Sequence, residues 1–204
     1  MTNKQAQVYI ATTQGLVHVQ SIAPLHDPDL SSVMTINGSS QRCAVSRDYT
    51  DFVHPPQGII CSQFGGTGYR VNVSAQIDSG SSWHLGLFVA HYLAATERDD
   101  ASVQITSRTN AINGSDHLAN GTQAGKGQAA TVQTSDTYKD LIIICSGEIN
   151  TQLFSVNSIQ HLEQKCRLAT QQIKHWHALG KQILFFVPAE NYRQAMPDCG
   201  VQLT

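Results

Sequence analysis

Apolar and polar residues alternate along Tyr69-Arg70-Val71-Asn72-Val73-Ser74, the pattern of a strand with one face buried. Asp78-Ser79-Gly80-Ser81 then forms a tight polar turn, and the apolar run after it predicts a helix from about Ser82 to Ala95. Upstream, Val8–Ala11 and Leu16–Ile22 flank Thr12-Thr13-Gln14-Gly15 and predict a hairpin. Ser32–Ile36 reads as a third strand ended by Asn37-Gly38, and Cys43-Ala44-Val45 as a short fourth. Phe52-Val53-His54-Pro55-Pro56 is expected to be non-helical because of its prolines, and Gly65-Gly66-Thr67-Gly68 is a flexible lead-in to the Tyr69 strand.

The second half repeats the theme with stronger apolar character. Leu141–Cys145 is uninterrupted and predicts a buried strand. Ile159, Leu162, Cys166, Leu168, Ala169, Ile173, Trp176 and Leu179 recur at helical spacing, Gly180 is a natural stop, and Ile183–Val187 predicts another buried strand closed by Pro188. Between the halves, residues 97–140 are rich in Gly, Ser, Thr and Asn and are expected to be a long, partly mobile insertion. Strands mixed with helices in this order predict an α/β or α+β architecture, read as a single domain over residues 1–204.

Charged residues make up 14% of the chain, and its formal net charge is -2. With no Lys/Arg cluster, nucleic acid and membrane surfaces are not expected partners, whereas protein or peptide is. The five cysteines are scattered without a CxxC pair, and the N-terminus leads into a short strand rather than an apolar leader. A cytoplasmic, reduced protein is therefore expected. The nine histidines show no spacing of a zinc motif, so neither metal nor cofactor is expected.

The chemistry-bearing position is the turn before the first long helix. A serine there, Ser82 or its neighbour Ser81, sits where outward-pointing N–H groups and the positive end of the helix dipole stabilise an oxyanion.

Three further stretches make the pattern more specific. Ser146-Gly147-Glu148-Ile149 follows the Leu141–Cys145 strand, Leu162-Glu163-Gln164-Lys165 opens the second long helix, and Pro188-Ala189-Glu190-Asn191 follows the last strand. Their order resembles the proteolytic domain of the Lon family of Ser-Lys proteases. The resemblance implies an α+β, Lon proteolytic-domain-like fold, mixed sheets with packed helices, for residues 69–95 and 141–195. It implies Ser82 as nucleophile, with Ser81 as second choice, and Lys165 as base. Asp78 and Glu148 are then possible orienters of the site, and Trp83 and His84 possible substrate contacts.

The activity implied is ATP-independent serine peptidase action on unfolded proteins or peptides, with a homo-oligomeric ring or a separate ATPase as possible partners. Trp83 and His84 stand where the family has small residues, and Asn157–His161 lacks the family's paired glycines. The alternative is therefore a catalytically inactive Lon-fold domain serving as a protein-binding or assembly module, with Trp83 filling the former cleft.

Overall fold

The computed structural model describes residues 6–56, 58–77, 79–112 and 141–195, the side chains of 99–112 and 193–195 excepted. Its centre is a six-stranded mixed sheet in the order β3-β4-β2-β1-β5-β8. Strands β1 (Gln7–Thr12) and β2 (Gly15–Pro24) form the expected hairpin, with Thr12 paired to Gly15. The ten-residue β2 passes through a bulge between Val19 and Ser21 and continues antiparallel to β4 (Tyr69–Val73). Strand β3 (Val33–Ile36) runs parallel to β4. On the other side, β5 (Leu141–Cys145) runs parallel to β1 and β8 (Gln182–Phe186) parallel to β5. A separate two-stranded hairpin joins β6 (Glu148–Asn150) to β7 (Ser155–Asn157).

Helices cover both faces, so the chain is α+β. Helices α1 (Ser46–Val53), α2 (Ile60–Phe64) and α3 (His84–Ile112) lie on one side, where Val8, Ile10, Val71, Ile143 and Cys145 join Tyr49, Phe52 and Leu87 in the larger core. Helix α4 (Leu162–Ala178) lies on the other, its Ala169, Ile173 and Trp176 packed on Ala11, Ile142 and Ile144. Successive residues of β5 thus enter opposite cores, which is why its sequence is apolar without alternation. Helix α3 approaches β1 closely at Gly86, where a Cβ would lie 2.6 Å from Ile10 Cγ1. A short helix, α5 (Ala189–Ala195), ends the described chain.

Several expectations are corrected. Cys43-Ala44-Val45 is not a strand. Arg42 makes one isolated bridge to Thr35, and the next residues turn into α1. Phe52 and Val53 close α1, because the proline restriction acts on the residue just before Pro55: His54 is extended, with φ -98° and ψ 140°. Strand β8 is less buried than its apolar sequence implies. It is a sheet edge, and Leu184 and Phe186 remain 45% and 44% exposed on the face away from α4. Of the expected insertion over 97–140, residues up to Ile112 continue α3, and 113–140 lie outside the described residues.

Candidate functional site

Helix α3 begins at His84, so Ser82 sits in the turn that enters the helix rather than within it. That turn is built on Gly80, whose φ of +105° is a conformation side-chain-bearing residues rarely adopt. The Trp83 indole Nε1 closes it by donating to the Gly80 carbonyl at 2.6 Å. The segment after β5 then grips the turn from the far side. Gly147 N donates to Ser82 O at 2.8 Å, and Leu85 N donates to Gly147 O at 3.0 Å. A Cβ on Gly147 would meet Val156 Cγ1 at 2.8 Å and Leu85 Cδ2 at 3.0 Å, so any larger residue would force these side chains to shift.

Helix α4 delivers the lysine from the opposite face of the sheet. Its N-cap, His161, is left-handed with φ 59° and makes no side-chain capping bond. Lys165 N donates to His161 O at 3.1 Å, and Gln164 Nε2 donates to Thr13 O at 3.3 Å, tying the first turn of α4 to the β1–β2 turn. Lys165 is 4% exposed. Its Nζ donates to Ser82 Oγ at 2.8 Å and to Ser146 Oγ at 3.1 Å. Ser146, 0% exposed, donates in turn to the Ala11 carbonyl at 3.2 Å, so its oxygen is left to accept from the amine.

Burial pulls the Lys165 pKa below that of an ordinary lysine, and the Cys166 thiol, when ionised, acts in the other direction. A lowered lysine is one that sheds its proton more readily and can accept one from a hydroxyl. The Ser82–Lys165 pair opens into a cavity of about 340 Å³ bordered by Thr13, Gly80, Glu148, Ile159 and His161 among others. The backbone N–H groups of Gly80, Ser81, Ser82 and Trp83, beside the Ser82 hydroxyl, make no bond to another described residue.

Of the residues singled out from sequence, Ser82 and Lys165 are brought to hydrogen-bond distance and Glu148 borders their cavity. Ser81 also lines the cavity, but its hydroxyl makes no bond to Lys165. Trp83 lines the cavity too, but it is 1% exposed and packed edge-on against Phe52 at 5.5 Å, so most of its ring is core. His84 is not in the Ser82–Lys165 cavity. It stacks on Phe52 at 4.3 Å beside a neighbouring cleft with Asp48 and Asp51, and burial lowers its pKa. Asp78 lies outside the described residues.

Ser146 is the residue that sequence reasoning missed as part of the site. The available signal was a hydroxyl immediately after a buried strand and before Gly147-Glu148, where an apolar residue would continue the run.

Among the described residues no group of three or more His, Cys, Asp or Glu side chains is placed to hold a metal ion, and no helix is long and apolar enough to cross a membrane. Compared with protein-family models, with curated proteins and with solved structures, the chain has no match in any of the three.

Proposed function

We propose that this chain is a Ser-Lys peptidase of the Lon proteolytic type, acting without ATP on unfolded proteins or peptides. The observation that carries the reading is the 2.8 Å contact between Ser82 Oγ and the amine of an almost fully buried Lys165. A surface lysine stays protonated and cannot serve as a base, whereas an amine held in an enclosed site has its neutral form favoured. The residues come from separate parts of the chain, so neither local helix geometry nor capping explains their meeting.

In the proposed cycle, Ser82 Oγ attacks the peptide carbonyl carbon as its proton passes to neutral Lys165 Nζ. The carbonyl oxygen, now negative, faces the N–H groups at the entry to α3. The C–N bond then breaks, the departing amine takes the proton from Lys165, and an ester to Ser82 remains. Water attacks that ester, giving its proton to Lys165, and the Ser82 oxygen recovers a proton as the carboxylic acid product leaves. Ser146 holds Lys165 Nζ in line with Ser82 throughout, since its single proton is committed to Ala11 O. Trp83 supports this reading over the non-catalytic module, because its ring packs on Phe52 and leaves about 340 Å³ open at the dyad.

The test is hydrolysis of an unfolded protein and of a fluorogenic peptide library by the wild type, Ser82→Ala, Ser81→Ala and Lys165→Met. Loss of turnover in the Ser82 and Lys165 variants, with Ser81→Ala still active, is the expected result. Wild-type protein that is folded and hydrolyses none of the substrates, or a Ser82→Ala variant as active as wild type, overturns it.

A further inference from the structure

Lys165 is placed by the first turn of α4, and that turn has no side-chain cap at its left-handed His161. The segment before it, Ser158 to His161, borders the dyad cavity and is exposed except for Ile159. Such a stretch has little packing to hold it. What fixes it is a side chain from the far end of the chain: Asn191, 4% exposed, accepts from Ile159 N at 2.7 Å and donates from Nδ2 to Ile159 O at 3.0 Å. Both polar backbone groups of one residue are thus held by one amide, which pins the segment at that point. Asn191 is itself anchored, its N donating to Pro188 O at 2.9 Å at the start of α5. The strand before α5 also reaches the dyad, because Phe186 O accepts from Ser146 N at 3.0 Å.

We propose that Asn191 is a positioning residue for the dyad, its two bonds to the Ile159 backbone setting where α4 begins and hence where the Lys165 amine lies relative to Ser82. The inference rests on the peptidase reading for its consequence in catalysis, but the placement of Lys165 is measurable without it. The β8–α5 unit accordingly controls both sides of the lysine: Ser146 through Phe186, and the start of α4 through Asn191. Gln164 on Thr13 supplies the opposing tether, so loss of Asn191 lets the helix start pivot about that contact instead of leaving the sheet.

The experiment compares wild type with Asn191→Ala, with Asn191→Asp, which keeps the acceptor for Ile159 N and loses the donor to Ile159 O, and with Val71→Ala. Val71 is fully buried in β4, remote from the dyad in sheet order, and serves as the control for lost stability alone. Three quantities are read: the rate at which a fluorophosphonate labels Ser82, the split between kcat and KM, and the titration of Lys165 by NMR of isotope-labelled lysine. Asn191→Ala is expected to label and turn over about 10- to 100-fold more slowly, the scale of an ångström-size misplacement. KM is expected to change by less than about twofold, since only the lysine moves. The Lys165 titration is expected to rise toward that of an ordinary lysine as water reaches the amine, with Asn191→Asp intermediate and Val71→Ala at wild-type values.

Folded Asn191 variants with wild-type labelling and titration overturn the proposal, as does an equal loss in Val71→Ala. If Asn191→Ala fails to fold, Asn191→Asp carries the same test. If wild type hydrolyses nothing, the peptidase reading fails by itself: a Lys165 titration that still moves in Asn191→Ala, which adds no charge, upholds the positioning role, and one that does not overturns that too.

Discussion

Replacing Lys165 with methionine separates what the buried amine costs the fold from what it does in the site. Methionine keeps an unbranched apolar stem of similar length and removes the titrating group. Wild type carries a lysine whose pKa is lowered on folding by burial, so between the folded value and the ordinary value near ~10.4 the unfolded chain binds more protons than the folded one. In that window the stability contributed by Lys165 rises with pH, at a limiting slope of about 1.4 kcal/mol per pH unit. Below the folded value the full penalty is present, and above ~10.4 it is gone.

Methionine has no such term. It does lose the two bonds from Nζ, to Ser82 at 2.8 Å and Ser146 at 3.1 Å. These are worth about 0.5–1.5 kcal/mol each, and their loss does not depend on pH in the same way. Stability of wild type minus that of Lys165→Met is therefore expected to increase as pH rises from neutral toward ~10. The assay is urea denaturation of both proteins at intervals of one pH unit or less, with the slope m checked for constancy. Parallel pH profiles for the two proteins refute the reasoning, because they mean that folding does not perturb the amine. Hydrolysis by Lys165→Met should be lost at every pH.

Other consequences follow from single contacts. Ser146→Ala removes the acceptor at 3.1 Å and the bond to Ala11 O at 3.2 Å, and is expected to lower kcat about tenfold with KM little changed, while Ser146→Thr, which keeps the hydroxyl, retains more activity. Kinetics on one fluorogenic peptide decide it, and an unaltered kcat in Ser146→Ala would exclude Ser146 from holding the lysine. Trp83→Ala empties a site that is 1% exposed and breaks the bond to Gly80 O, so a loss of about 3–5 kcal/mol in denaturant unfolding is expected. A Trp83→Ala protein as stable as wild type but with raised KM would instead make Trp83 a substrate contact.

Much of the secondary structure was legible because periodicity is written locally. Alternation at Tyr69–Val73 corresponds to buried Tyr69, Val71 and Val73 with Arg70 outward, and the helical spacing from Leu162 to Trp176 corresponds to the buried face of α4, except that Leu168 and the terminal Leu179 are exposed. Local rules failed where a neighbour decides the outcome. The apolar run of β8 looks like that of β5, yet β5 has a strand on each side and a helix on each face while β8 is an edge. Nothing within five residues encodes that difference.

The site divides the same way. Sequence alone marked Ser82, by its place at a strand–turn–helix junction, and Lys165, by the motif order that resembles a known family; pattern also narrowed the class to α/β or α+β. Tertiary structure decided that Lys165 is buried and 2.8 Å from Ser82, that Ser146 also accepts from its amine, and that Asn191 clamps the segment leading to it. It also put His84 beside Phe52 and away from the dyad. The physical reason is that burial and hydrogen-bond partnership are properties of groups 19 to 83 positions apart in the chain, brought together only when both faces of one sheet are packed.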